Sequence, residues 1–202
     1  MRQADLTRQR LVRAALELFT TQGYHDTTTP QLAKRAGIAE GTIYRHFTSK
    51  QHLLNELYRA AARWATQHVR EAEATGGSLR DRLGKLGESL VEGTGREPAV
   101  VRLFFFHDLT ALLDDKSREA AREFRGALET MLAQGKAAGD IRPGGVDVLG
   151  AAWIAVIRVA LERILAKEWA ANSAGVGVCI GAAWDAVAQR DTGHGKRETE
   201  TP

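Results

Sequence analysis

Between residues 40 and 50 the chain gathers side chains that can hydrogen-bond outward without any covalent chemistry: Glu40, Thr42, Tyr44, Arg45, His46 and Lys50, with Gly41 among them. A carboxylate only accepts, a guanidinium donates in a fixed fork, and hydroxyls do both, so the set suits phosphates and base edges. Ile43 and Phe47 stand four apart and anchor the same segment on a buried side. The elements that must hold these groups are written just upstream. Thr29 is a suitable N-cap and Pro30 a suitable first helical residue, opening a helix of about two turns with Leu32, Ala33 and Ala36 on its inner face. Gly37 ends that helix, Ile38 turns inward, and a second helix is expected from about Glu40 to Phe47. Helix, glycine turn and polar second helix describe a helix-turn-helix, whose second helix enters the DNA major groove. An ordinary corner between two helices has the same outline.

The neighbouring elements are also helical. Leu11, Ala15, Leu18 and Phe19 predict an opening helix from about Thr7 to Gln22, stopped by Gly23 and preceded by a loose basic arm over residues 1–6. After Phe47 either Thr48, in a capping box with Gln51, or Ser49 starts a helix that runs through Leu53, Leu57, Ala61 and Trp64 to about Ala74. Lys50 sits in its first turn, where an ammonium and a helix N-terminus can share one phosphate. Beyond Gly76 and Gly77, helices are expected over Leu79–Val91, Ala99 to about Leu113, Asp114 or Asp115 to Gly139, Val146 to about Trp169, and Gly175 to about Gln189. Gly93 to Pro98 and Pro143-Gly144-Gly145 supply the breaks, and Arg190–Pro202 is polar enough to be disordered. The fold class is all-α.

Charge divides the chain unevenly. Residues 1–72 hold 11 Lys/Arg against 6 Asp/Glu and the remainder 17 against 19, so a basic front precedes a mildly acidic rear. That suits a DNA-facing part joined to one that need not meet phosphate. Cys179 is the only cysteine, which excludes an intrachain disulfide and a multi-cysteine zinc site. The apolar run Val148–Leu161 is interrupted by Arg158 and is shorter than the roughly 18 to 20 residues a bilayer requires. With no apolar leader, a cytoplasmic protein without membrane association is expected. The six histidines form no HExxH pair, Gly84-Lys85-Leu86-Gly87 lacks phosphate-loop spacing, and His107-Asp108 on a helix would point apart. No enzyme, metal or cofactor is expected.

The string AGIAEGTIYRHFTSKQHLL, preceded by ALELFTTQGYHDTTTPQLAKR, closely resembles the N-terminal domain of the tetracycline-repressor (TetR) family of bacterial transcription regulators, over the first quarter to third of the chain. The resemblance implies an N-terminal three-helix helix-turn-helix DNA-binding domain over 1–48, a connecting helix over 49–77, a helical effector-binding and dimerisation domain over 78–190, and a tail over 191–202. It also implies DNA roles by position. Thr29 would bond a phosphate while capping its helix, Glu40 and Gly41 would open the reading face, and glutamate can accept from cytosine N4. Thr42 would meet a thymine methyl or the backbone, Tyr44 and His46 would fix docking on phosphates, Lys50 would add charge, and Arg45 would read guanine; half-buried packing is the alternative for Tyr44 and a satisfied surface position for His46. Two departures stand out: Ala39 replaces the usual serine or threonine cap, and Pro30 stands where some relatives place a polar base reader.

The last two helices are apolar on nearly every side, more than one core can use. A homodimer packing them as a four-helix bundle answers this, with Ile154, Leu161, Ile180, Ala183, Trp184 and Val187 as interface residues; a deeply buried hairpin in a monomer is the alternative. The resemblance implies the same dimer on a palindromic double-stranded operator, and a small-molecule effector that releases a repressor. Phe104, Phe105, His107, Phe124, Met131, Trp153 and Ile157 are the candidate lining, suggesting a hydrophobic or aromatic effector; core packing is the alternative for each. An architectural DNA-binding dimer without effector, or a helical enzyme, are the competing functions.

Overall fold

Four helix starts are written by side-chain caps, and the first three set the frame of the molecule. In the computed structural model, which describes residues 3–189, Thr28 caps α2 (Thr29–Ala36) in a reciprocal box with Gln31. Ser49 caps α4 (Lys50–Ala74) by accepting from the His52 N–H at 2.9 Å, and Ser78 caps α5 (Leu79–Arg96) with Asp81. Thr29 is therefore the first helical residue of α2 and not its cap, a correction that follows from register. Only Thr28 stands three residues before a side chain, Gln31, that can reach back to its N–H. Of the two candidates at the start of α4, Ser49 is the cap, while the Thr48 N–H and hydroxyl turn to His52 Nδ1.

Before these lies α1 (Gln3–Thr21), which starts inside the segment expected to be a loose arm. Between α2 and α4 lies α3 (Glu40–Ile43), and beyond α5 come α6 (Pro98–Phe105), α7 (Asp115–Ala138), α8 (Val146–Leu165) and α9 (Ala174–Asp185). The described residues hold no strand, only an isolated antiparallel bridge between Ile141 and Ala188. The tail expected over 191–202 lies outside the described residues.

Several boundaries differ from the sequence reading for physical reasons. Helix α5 passes through Gly93 to Arg96, because that glycine serves close approach: a Cβ there would lie 2.4 Å from the Trp64 ring of α4. Helix α6 stops at Phe105, and a 3-10 turn at Thr110–Leu112 then brings Leu109 and Leu113 into the core beside α1 and α4. Helix α8 ends at Leu165, Lys167 takes a left-handed φ of 60°, and Trp169 folds back onto Gly175.

Two buried clusters result. One gathers Leu11, Phe19, Leu32, Ile43, Phe47, Leu53 and Leu54 with Tyr58, Leu103 and Leu109. The other joins Leu79, Leu86, Leu90, Phe124, Met131, Trp153, Ile157 and Leu161 across α5, α7, α8 and α9. Phe104 packs against both. A polar knot fixes the first half of α4 to the segment entering α7. Asn55, 2% exposed, donates to Leu112 O at 3.0 Å and accepts from the Asp114 N–H at 2.8 Å. Arg59 donates to Asp114 and Glu56 beside it. No fully buried side-chain atom of that knot lacks a partner, so it adds rigidity and not a desolvation penalty.

Candidate nucleic-acid interface and effector cavity

Ile43 and Phe47, each 1% exposed, pin the segment after Gly37, and that burial turns the opposite side chains outward. Tyr44 is 55% exposed, an unusual setting for an aromatic residue without a partner surface. Glu40, Gly41 and Arg45 are exposed beside it, with Thr42 and His46 half-buried. Ala39 caps α3 with no side-chain hydrogen bond, as its methyl dictates. The α-helical part of α3 is shorter than expected. After Ile43 the ladder tightens, with Arg45 N bonding Thr42 O and His46 N bonding Ile43 O, before Phe47 N returns to Ile43 O at 3.0 Å.

Two residues expected to hold phosphates are otherwise engaged. Lys50 turns back into the protein, its Nζ donating to Tyr24 O at 2.8 Å and Thr27 O at 2.6 Å and lying 4.2 Å from the Tyr24 ring centre. Partial burial lowers its pKa from the ordinary lysine value. With two of its three N–H groups spent on the α1–α2 loop, its first task is to hold that loop against α4. The Thr29 hydroxyl donates to Glu40 Oε1 at 2.9 Å, tying the start of α2 to the start of α3. On α1, Arg8 pairs with Glu56 at 2.8 Å and covers the Phe47 ring, while Arg35 makes a two-pronged pair with Glu17.

A second feature is a cavity of about 340 Å³ among α4, α6, α7 and α8. Phe104, Phe105 and Phe124, three of the expected lining residues, form its aromatic wall with ring centres 4.9 to 5.8 Å apart. His107, Met131, Trp153 and Ile157 are not part of that lining. Met131, Trp153 and Ile157 are 0–1% exposed and fill the core instead, because residue type alone does not separate a cavity wall from packed interior. Sequence reasoning missed Tyr58, Arg125, Glu129 and the stripe Asp147, Gly150, Ala151, Ile154 and Arg158 along one side of α8. The available signal was that stripe: small residues at helical spacing between two charged ends leave room for something else.

The expected dimer residues divide. Leu161, Ala183 and Val187 are fully buried within the chain and cannot meet a partner, since they fill its own core. Trp184 and Ile180 are half-buried, and Ile154 faces the cavity. The exposed large apolar residues of these helices are Val148, Val159 and Val178, at 64%, 45% and 70%.

An all-helical chain with an outward-facing helix-turn-helix on a separately cored helical body is a DNA-binding architecture, and comparison with known proteins narrows it. The family model of bacterial regulatory proteins, tetR family, matches residues 11–57. The HTH-type transcriptional regulator TcmR of Streptomyces glaucescens is 28% identical over 173 residues, covering 81% of this chain and 73% of that protein. A TetR family transcription regulator from Marinobacter aquaeolei VT8 superposes with a TM-score of 0.79 at 23% identity, over 94% of this chain and 100% of that one. The transcriptional regulator FadR from Bacillus subtilis, solved in complex with stearoyl-CoA, superposes with a TM-score of 0.72 at 19% identity, over 89% and 98%. Residues 11–57 thus match bacterial regulatory proteins of the tetR family, and along most of its length the chain is similar to transcription regulators of that family. Among the described residues no helix is long and apolar enough to cross a membrane.

Proposed function

We propose that the protein is a homodimeric repressor of a palindromic operator, released when a small hydrophobic or aromatic effector enters the cavity. The observation that carries this reading is where the cavity lies. Its wall includes Tyr58 of α4, whose ring belongs to the N-terminal core, and Phe104 of α6, which packs against both cores. A ligand held there touches the two helices that seat the DNA-binding unit. It favours release only insofar as it binds the DNA-incompetent arrangement better. The volume suits a compact molecule, and the aromatic wall suits an apolar one. Arg125, Arg158, Glu129 and Asp147 at the cavity give it a charged margin as well. The complex of FadR with stearoyl-CoA supports a ligand with an apolar part.

On the DNA face Arg45 is the base reader and Tyr44 and His46 are docking contacts. In the dimer, Val148, Ala152 and Val159 of α8 and Val178 and Ala182 of α9 meet their symmetry mates. Purified protein is to be footprinted on the DNA flanking its own coding region, with unrelated DNA as competitor and at two salt concentrations. A short palindrome protected against competition supports the reading, and weak binding indifferent to sequence sinks it. On that palindrome Arg45→Ala relaxes choice at about one base pair, with a loss near 1 to 3 kcal/mol.

A further inference from the structure

We infer that Thr29 and Glu40 act as one reading unit that accepts from the exocyclic amino group of cytosine, and that the Thr29 hydroxyl is not a phosphate contact. This rests on the proposal that the α3 face meets the major groove. The two residues belong to different helices, yet Thr29 Oγ1 lies 2.9 Å from Glu40 Oε1. A carboxylate has no proton to give, so the hydroxyl is the donor, and its single hydrogen is spent. Phosphate oxygens are acceptors only, so the Thr29 hydroxyl cannot bond one without letting go of Glu40. What the pair shows outward is acceptors alone: the second carboxylate oxygen of Glu40 and the remaining lone pairs of Thr29.

The bases answer such a surface unequally. Guanine N7 and O6 and thymine O4 are acceptors and are repelled. Adenine offers its N6 amino group, but with the N7 acceptor beside it. Cytosine offers N4 with no acceptor on its own major-groove edge, which makes it the best match. The surroundings favour close reading. Gly41, next to Glu40, has open space where a side chain would stand, and Pro30, next to Thr29, has neither an N–H nor a polar side chain to compete. Thr29 is thus a positioning residue: it fixes which way one carboxylate oxygen faces, and the other does the reading.

The experiment selects binding duplexes from a library randomised over one half-site, using the full chain and its Glu40→Ala, Glu40→Gln, Thr29→Val, Thr29→Ser and Thr29→Val/Glu40→Ala variants. Affinities are then measured for single base-pair changes at two salt concentrations. The unaltered protein should prefer cytosine at one position, on the order of tenfold. Glu40→Ala and Thr29→Val should each erode that preference at the same position, Thr29→Ser should keep it, and Thr29→Val should add nothing once Glu40 is alanine. Glu40→Gln should shift the choice toward adenine, whose N6 and N7 an amide can match. Thr29→Val lowering affinity equally for all sequences, with a shallower salt dependence, would make Thr29 a phosphate contact and overturn the inference. So would effects of Thr29→Val and Glu40→Ala at different base pairs. If the unaltered protein selects no sequence at all, the reading of the α3 face fails first and the pair falls with it, a result distinct from losing preference at one position. Circular dichroism of each variant separates these outcomes from misfolding.

Discussion

At the scale of single residues, the side chains with the most inviting chemistry are partly committed to one another. Lys50 would be taken for a phosphate anchor in any sequence reading. Yet its ammonium holds the Tyr24 and Thr27 carbonyls at 2.8 and 2.6 Å and caps the Tyr24 ring. Replacing it with methionine keeps the stem but leaves both carbonyls without that donor. Lys50→Met is therefore expected to destabilise the fold by about 1 to 3 kcal/mol, the range for hydrogen bonds to a charged group and their orphaned partners. Urea denaturation checks this in the absence of DNA, and an unchanged midpoint would return Lys50 to a purely DNA-facing role. The cap of α2 was within reach of the sequence, since Thr28-x-x-Gln31 is a capping-box spelling, and a row of three threonines concealed it. The bond from Thr29 to Glu40 was not, because it joins two helices through a turn whose geometry Gly37 sets, with its φ of 66°.

At the scale of elements, periodicity found each helix, and errors gathered where a glycine or an aromatic residue had two meanings. Gly37 and Gly139 end helices with left-handed φ values of 66° and 87°, as a glycine after a periodic stretch suggests. Gly93 has the same spelling but lets α4 and α5 touch, its missing Cβ giving room to the Trp64 ring. Likewise Phe104 and Met131 are both bulky and apolar, yet one lines a cavity and the other fills the core, a distinction only packing makes. Gly93→Ala is expected to cost about 1 to 3 kcal/mol by overpacking, despite alanine's better helix propensity, and a rise in thermal midpoint would refute the close-approach account. His68 lies at the same contact, edge-on to Trp64 at 4.4 Å between ring centres. Burial lowers its pKa, outweighing Glu71, whose charge acts the other way, while Arg96, Glu97 and Glu92 contribute less. The unfolded chain takes up this proton as pH falls through about 6.5 and the folded chain lags behind. The histidine is thus neutral at no cost above that pH and destabilises the fold below it. His68→Phe should make the fall in thermal midpoint between pH 7.5 and 5.5 shallower, and an unchanged slope would remove His68 as its source.

At the scale of the whole molecule, one chain carries one reading face, and affinity for a palindrome depends on joining two. The sequence showed that α8 and α9 hold more apolar surface than a single core can use, but it did not show which residues were the surplus. Packing decides that Leu161, Ala183 and Val187 close the chain's own core, while Val148 and Val178 stand 64% and 70% exposed. Val148, Ala152 and Val159 follow one another at intervals of four and seven along α8, and Val178 and Ala182 are a turn apart on α9, so each set forms a stripe. In a two-fold dimer a charge placed in such a stripe is placed on both chains. Val178→Asp should yield a folded monomer in sedimentation, because Val178 contributes little to its own core. Without the partner, the second half-site is no longer bound at high effective concentration, and affinity for a two-half-site duplex should fall by about 10²- to 10⁴-fold. Binding to a single half-site should change little. Leu161→Asp, by contrast, puts a carboxylate into the packed interior and should abolish folding rather than dissociate a dimer. Were Val178→Asp to remain dimeric with full operator affinity, the exposed stripes of α8 and α9 would not be where two copies meet.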